Sequence, residues 1–315
     1  MGVRAILVMV YFTLSMAPLW SQDSLYIKTF PDKLTVRLGM QNTSNSFVVN
    51  DSQDNSEVEF KPNDKTYLGI SFLFRSVELD LGFAPNFLSE NRDNEDSKLF
   101  TLNFRMFLGK WMQTFDFYNQ KGFFANIGDT SLPFPGLKTL KIGGSTSYVF
   151  NSNFSFRAIG FQNEWQKKSS GSFVPRFTYY YTHLSFEDDT MEDSSEHIMD
   201  MALGPGYYYN LVLGQHVILG TGATVGMGMH LSRSEGETST NFLGQALFRI
   251  ALGYNSERFF TGINLNAQLL AYEEDDSTAV GDALSFAEMY LGYRFNAPKK
   301  WVQKADKFNK KYGLD

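Results

Sequence analysis

The clearest pattern in the chain is VILGTGATVGMGMHL, at residues 217–231. Aliphatic and methionine side chains alternate there with glycine, threonine and histidine, and a side-chain period of two predicts a β-strand. The alternation resumes in residues 241–254 and 263–269, after the loop 232–240 and the short connection 255–258. Three long strands are therefore predicted, each with one apolar face and one small or polar face.

Two kinds of fold contain such strands, and they differ in which face is inside. A soluble β-sandwich buries the apolar face, whereas a membrane barrel turns it toward lipid. Residues 77–85 alternate in the same way and place Glu78 and Asp80 on the polar face. Two carboxylates are costly to bury in an apolar core but not in a hydrated interior. This strand therefore favours the barrel, and a secreted soluble sandwich stays as a further alternative.

The lengths of the connections also favour a barrel. Short connections mostly alternate with long acidic ones, as expected for periplasmic turns and outer loops of an outer-membrane barrel. The short connections are residues 75–76, 109–110, 151–153, 214–215 and 255–258. We therefore predict an all-β, transmembrane, antiparallel up-and-down barrel with a short C-terminal amphipathic helix.

The strand count needs one further decision. Thirteen strand candidates can be recognised, among them 140–150, 154–161 and 173–186, with a long connection predicted at 122–138. Single-chain bacterial barrels normally have an even number of strands. We predict about twelve, with residues 173–186 assigned to an outer excursion, and fourteen is the alternative if one strand has escaped detection.

Composition excludes several classes of function. The chain has 315 residues and a formal net charge of −6, which argues against a nucleic-acid partner. It contains no cysteine, so disulfides, thiolate metal sites and a cysteine nucleophile are excluded. Its 4 histidines do not include two at metal-ligand spacing on one helix. No metal or cofactor is predicted.

The ends of the chain differ in character from its body. Residues 1–21 are predicted to be a secretory signal peptide, because Arg4 precedes a short apolar run and Ser21 is a suitable cleavage site. Residues 22–298 form the predicted barrel. Residues 299–315 form a basic periplasmic tail, in which lysines surround Trp301 and Phe308. This tail is predicted to be a helix that lies on the inner-leaflet surface of the outer membrane or caps the periplasmic mouth.

Three short stretches carry a resemblance to a known family. They are TFPDKLTVRL at 29–38, QKKSSGSF at 166–173 and GYRFNAP at 292–298. Together they resemble an uncharacterised family of outer-membrane β-barrels from Bacteroidetes-type, Gram-negative bacteria. The resemblance implies an outer-membrane barrel and brings no activity, cofactor or catalytic residue.

Charged residues on the polar faces of the strands would meet in the barrel lumen. They are Arg37, Glu78, Asp80, Arg105, Asp116, Arg157, Arg249, Glu288 and Arg294. Such a set could line a pore or bind a ligand, or it could pair internally and fill a narrow barrel. The sequence leaves both possibilities open.

One constellation suggests an enzyme. His230 and Ser232 lie close together at a strand end, where a lipid-acting hydrolase or acyltransferase could use them. A triad also needs an orienting group, which the sequence does not place, and a polar strand end explains the same residues. We therefore predict a non-enzymatic barrel in the cell outer membrane, acting as a small channel or as a structural or binding barrel. Its expected partners are outer-membrane lipid, lipopolysaccharide and small solutes that pass through the lumen.

Overall fold

The computed structural model describes residues 25–53, 56–62, 66–85, 98–128, 130–159, 163–186, 194–234, 236–273 and 278–312. The predicted signal peptide lies outside these ranges. The strands are β1 (Ile27–Thr29), β2 (Lys33–Asp51), β3 (Ser56–Pro62), β4 (Tyr67–Phe74), β5 (Val77–Phe83), β6 (Lys98–Leu108), β7 (Trp111–Ile127), β8 (Thr130–Tyr148), β9 (Glu164–Gln166), β10 (Ser170–Phe173), β11 (Arg176–Phe186), β12 (Ser194–Gly204), β13 (Gly206–Leu213), β14 (Val217–Ser234), β15 (Glu237–Asn255), β16 (Phe259–Glu273) and β17 (Thr278–Asn296). The helices are α1 (Phe156–Ile159) and α2 (Lys299–Tyr312).

Twelve strands close into a ring in chain order: β2, β4–β8, β11, β12 and β14–β17. Neighbouring strands are antiparallel, and β17 pairs with β2 along its whole length, from Thr278↔Asp51 to Asn296↔Lys33. Strands β10 and β13 pair with each other, and β13 also pairs with the first half of β14. Strand β10 directly precedes β11 in the chain and β13 directly follows β12, so the two short strands extend β11 and β12. The fold is thus a transmembrane antiparallel up-and-down barrel, and the predicted count of about twelve is confirmed.

The barrel is apolar outside and polar inside. On β14, Val225 is 61% exposed and Met227 is 65% exposed, whereas Thr224 is 1% exposed and His230 is 2% exposed. Glycines share the inward face with these two polar residues. Gly222, for example, leaves room for the Tyr208 ring of the neighbouring strand, which an added Cβ would meet at 2.0 Å. The alternation therefore has the orientation expected of a membrane barrel.

The two ends of the barrel have different circumferences. We call the end with the connections 75–76, 109–110, 214–216 and 256–258 the turn end, and the opposite one the loop end. Near the loop end, β3 pairs with both β2 and β7, so among the described residues it takes the place of β4, β5 and β6 in the wall there. Replacing these three of the twelve strands by β3 leaves ten described strands at that level. Gly122 lies where β7 exchanges β6 for β3, and its positive φ of 87° suits glycine.

Three sequence predictions about the strands are wrong. The predicted connection 122–138 is mostly sheet, because β7 and β8 continue as one long hairpin. The predicted strand 154–161 contains α1 instead, and both parities of residues 154–159 are largely buried, which a one-faced strand cannot achieve. The predicted outer excursion 173–186 contains β11, which is a member of the ring.

Helix α2 follows the last strand, as predicted. Its Trp301 ring packs edge-on against Phe74 at a centroid distance of 6.0 Å, and Asp306 pairs with Arg75 at 2.5 Å. Within the described ranges, neither helix has the length and apolar character needed to cross a membrane.

Candidate binding cavity and inner plug

The turn end of the barrel is filled by the chain between β8 and β11. We call this segment, residues 149–159 and 163–175, the inner plug. Its apolar residues Phe154, Phe156, Ile159 and Val174 are buried in one hydrophobic cluster with side chains of the wall. The wall side chains are Phe107, Met112, Tyr208, Ile218, Leu247, Ala251, Phe260 and Tyr290. A hydrophobic core therefore lies inside the barrel, at its turn end.

Polar contacts fix the inner plug to the wall. The Asn210 side chain on β13 donates hydrogen bonds to the Ser155 carbonyl at 2.8 Å and to the Gln166 side chain at 3.1 Å. Glu164 accepts bonds from the Ser155 hydroxyl and from Arg157, at 2.5 and 3.1 Å. Because these bonds satisfy buried polar groups, they favour one position of the plug.

Two of the predicted lumen charges belong to this end. Arg157 lies on α1, where the predicted strand was wrong, and its guanidinium stands 4.6 Å from the Phe107 ring centre. Arg294 bonds to the Ser256 carbonyl at 2.6 Å and to the Asn255 side chain at 2.9 Å. Both arginines hold the plug region together and lie away from the middle of the lumen.

The N-terminal segment, which is not part of the ring, contacts the same end of the barrel. Strand β1 pairs with β9, and Lys28 donates a hydrogen bond to Glu257 in the connection 256–258. This bond from Lys28 lowers the pKa of Glu257. The pair is exposed, so its contribution to stability is small.

The middle of the lumen holds a group of ion-paired residues on β2, β5, β6 and β17. We call Arg37, Glu78, Asp80, Arg105 and Glu288 the paired charge cluster. Arg37 lies 3.0 Å from Asp80 and 3.6 Å from both Glu78 and Glu288, while Arg105 lies 3.1 Å from Glu78. Each charge thus has an opposite charge at contact distance, which offsets much of the cost of burying it.

A cavity of about 90 Å³ lies between this cluster and the opposite wall. Phe156 of the inner plug, with Met112 and Leu247, forms its apolar side. Its polar lining includes Arg37, Asp80, Asn103, Arg105, Asp116, Arg176, Arg249, Asn264, Asn266, Gln268 and Glu288. Several charges predicted from the sequence therefore do meet in one place.

The charges of the opposite wall are less well matched. Asp116 accepts a hydrogen bond from the Tyr180 hydroxyl at 2.8 Å. Arg249 forms no ion pair with any described residue; its guanidinium stands 5.5 Å from the Phe156 ring, and its Nε atom is buried without a partner. Arg176 also lines the cavity, and sequence reasoning missed it because β11 was assigned to an outer excursion.

The candidate catalytic residues do not meet. Asp200 on β12 lies directly opposite His230 on β14 in the strand register, and His230 Nδ1 is 2.7 Å from the Asp200 carboxylate. The His230 ring also stacks on the Tyr272 ring, with the ring centroids 3.5 Å apart. The Ser232 hydroxyl instead bonds to Ser239 at 2.9 Å. Sequence reasoning missed Asp200, because its pairing with His230 depends on the register. No metal-binding group of three or more ligands occurs in the described part of the chain.

Fold and interior together define a plugged membrane barrel with a small charged cavity. The profile of the domain of unknown function DUF4421 matches residues 21–295, and the chain belongs to this family. No curated protein sequence matches it.

Solved outer-membrane proteins are similar in fold. The outer-membrane protease OmpT of Escherichia coli is 8% identical, with 85% of this chain and 98% of that chain covered and a TM-score of 0.32. An outer-membrane channel of Pseudomonas putida F1 is 8% identical, covers 88% and 100%, and has a TM-score of 0.41. OmpT of Vibrio cholerae is 11% identical, covers 86% and 100%, and has a TM-score of 0.31.

Proposed function

We propose that this protein is a non-enzymatic solute-binding barrel of the outer membrane, closed at its turn end by the inner plug. The observation that supports this proposal most directly is a polar cavity next to the inner plug, which is hydrophobic and is hydrogen-bonded to the barrel wall. An open channel would need a continuous aqueous path, which the plug fills with aromatic side chains. A purely structural barrel would not need a cavity with an unpaired arginine.

The location in the outer membrane is part of the proposal. The apolar outer face needs lipid, and a cleaved signal peptide at residues 1–21 would export the chain. The acidic connections expected to meet lipopolysaccharide lie largely outside the described residues, so that contact stays a prediction. Fractionation of Gram-negative cells, with heat-modifiable migration on gels, tests the location. Recovery of folded protein in the soluble periplasm would contradict it.

Planar-bilayer conductance tests the plug. We expect the wild-type barrel to show no steady current, and we expect current when residues 154–159 are replaced by a Gly-Ser linker of equal length. The same replacement at residues 303–308 of α2 is the matched control and should leave the barrel silent. A folded wild-type barrel that conducts steadily would contradict the closed turn end.

Helix α2 supports a second part of the proposal, contact with the inner leaflet. Its contact residue Phe74 shares the outward face of β4 with the exposed Phe72, which supports a position of the helix beside the barrel over one across its mouth. Six lysines and a single acid lie on α2, and Trp301 and Phe308 are half-exposed. Lysines and aromatic side chains on one helix suit an anionic lipid surface.

Vesicle partitioning of the folded barrel tests this contact. Replacing Lys304, Lys307 and Lys311 by glutamine should weaken the preference for anionic over zwitterionic vesicles. Lys138, in the loop-end half of β8, provides the control substitution and should leave that preference unchanged. An unchanged preference in the triple variant would remove α2 from the proposal.

A lipid-acting hydrolase is the second candidate function, and the bond between His230 and Asp200 is the observation that favours it. The separate bond of Ser232 to Ser239 speaks against it. Esterase and deacylase assays of wild type, His230→Gln and Ser232→Ala provide the test. Activity lost in both variants would establish this alternative, and activity that survives in both would remove it.

A further inference from the structure

We propose that the cavity binds a small oxyanion, a carboxylate or phosphate group, between Arg249 and Arg176. The inference rests on the proposed function as a solute-binding barrel and names the chemical class of the solute. It is argued from the unpaired charge of Arg249, the occupied state of the nearby carboxylates, the free amide groups of the wall and the size of the cavity.

Arg249 is the first observation. Its side chain is only 9% exposed and lines the cavity, yet no described carboxylate pairs with it. The guanidinium does not lose its proton in proteins, and a buried charge without a counter-charge is costly. The contact with the Phe156 ring compensates for only part of that cost. An anion in the cavity would supply the missing partner.

The neighbouring residues do not supply a counter-charge. In the register, Arg249 lies between Gly222 of β14 and Asn266 of β16, and neither of these is charged. Arg105 and Arg176 act on Arg249 as like charges, while Glu78 and Glu288 attract it from beyond ion-pair distance.

The carboxylates around the cavity already have partners. Asp80 and Glu288 pair with Arg37, and Glu78 pairs with Arg105. Asp116 accepts a hydrogen bond from the Tyr180 hydroxyl and is attracted by Arg105 and Arg176 without forming an ion pair with either among the described residues. Outside the paired charge cluster, Arg249 and Arg176 carry two positive charges against the single negative charge of Asp116, so one positive charge is left over on this side of the cavity. Planar guanidinium groups bind carboxylate and phosphate oxygens in a bidentate manner.

Amide side chains complete the wall beside Arg249. Asn264 and Gln268 are buried, and with Asn266 they line the cavity from β16. The Asn264 and Asn266 carbonyl oxygens and the Gln268 amide nitrogen have no hydrogen-bond partner among described residues. A hydroxyl group next to the anionic group could use these atoms.

The volume limits the solute. A protein cavity of about 150 Å³ holds benzene, and the space here is about 90 Å³. An inorganic phosphate or a short hydroxy acid such as lactate is of suitable size. Fatty acids and oligosaccharides are too large to be enclosed.

Calorimetric titration of the refolded full-length barrel in zwitterionic detergent tests the inference. The probes are inorganic phosphate and lactate at constant ionic strength, with choline and glycerol as cationic and neutral comparisons. We expect saturable binding of phosphate, lactate or both, weakened about tenfold or more in Arg249→Gln. Arg233→Gln, at an exposed position of β14, is the matched control and should bind like wild type.

The arms of the experiment separate the possible outcomes. Binding of phosphate alone or lactate alone identifies the source of the anionic group, and binding of both supports the shared oxyanion chemistry. Should Arg249→Gln fail to fold, Arg249→Lys and Arg176→Gln are compared with the control in its place. Binding of choline or glycerol but of neither anion overturns this inference and leaves the solute-binding barrel standing. Binding of no probe contradicts both the oxyanion inference and the solute-binding function. Equal anion binding by wild type and the folded variants would show that Arg249 and Arg176 do not form the binding site.

Discussion

Arg37 and Arg249 are two arginines of the same barrel interior with opposite surroundings. Both are buried, at 3% and 9% exposure, and both come from the polar face of a strand. Arg37 lies within 3.6 Å of three carboxylates, whereas Arg249 has a phenylalanine ring and uncharged neighbours. An arginine thus links neighbouring strands through ion pairs on one side of the lumen, whereas on the other side an arginine has no ion-pair partner among the described residues.

This difference answers a question that the sequence left open. Lumen charges could have been a fully paired filling or a ligand site, and the barrel contains a paired group on one side and, as we propose, a binding site on the other. The wall formed by β17, β2, β5 and β6 is internally paired, while Arg249 on β15 and Arg176 on β11 face the cavity without ion pairs among described residues. Pairing, and not burial or residue type, separates structural charges from candidate binding charges.

The largest expected effect comes from removing each arginine in turn. Arg37→Met should destabilise the barrel by about 3–5 kcal/mol, because it leaves buried carboxylates without their counter-charge. Arg249→Met should cost less than about 1 kcal/mol or even stabilise, since it removes an unpaired buried charge. Urea unfolding in phospholipid vesicles, followed by tryptophan fluorescence, measures both. Equal losses for the two variants would break the comparison, and Arg233→Met serves as the exposed control.

A double-mutant cycle gives the next largest effect. Combining Arg37→Met with Glu288→Gln should show a coupling of about 1–3 kcal/mol, because the two groups lie 3.6 Å apart. The cycle of Arg249→Met with Glu288→Gln should give less than half of that coupling. Unfolding free energies of the single and double variants provide the numbers, and similar couplings in both cycles would show that Arg249 belongs to the paired charge cluster.

The smallest effect is expected at the exposed pair of Lys28 and Glu257. The folded-state pKa of Glu257 is lowered, so its contribution is present above the unfolded pKa of about 4.5 and disappears as the pH falls through the folded pKa. The contribution should stay below about 1 kcal/mol. Comparing wild type with Glu257→Gln between pH 7 and pH 3 measures it: the stability difference should shrink toward acid pH. A difference that grows toward pH 3 would have the wrong sign.

Much of the fold could be predicted because its signal is local. A period of two along each strand fixes which face is polar, and the alternation of connection lengths indicates a ring of about twelve strands. The inner plug could not be recognised in this way. Phe154, Phe156 and Ala158 alternate with Ser155 and Arg157 and so imitate a short strand, although the barrel encloses this segment and buries side chains of both parities.

The pairing of the charges could not be predicted either, because it depends on which strands are neighbours and in what register. Arg37 and Glu288 belong to the first and last strands of the ring and become neighbours only when β17 closes on β2. Arg176 was missed because its strand was misassigned, and Asp200 because its place opposite His230 follows from the register of β12 and β14. Local patterns thus identified most candidate residues, and ring closure selected their partners.

The division between paired and available arginines can be observed directly by anomalous diffraction. Crystals of the full-length barrel would be soaked in selenate, which has the shape and charge of a small oxyanion. We expect an anomalous selenium peak about 4 Å from the guanidinium nitrogens of Arg249, as hydrogen bonds of about 2.8 Å to the selenate oxygens require, and none within the paired charge cluster around Arg37. A peak at Arg37, or a cavity without a peak beside Arg249, would contradict this division of the lumen.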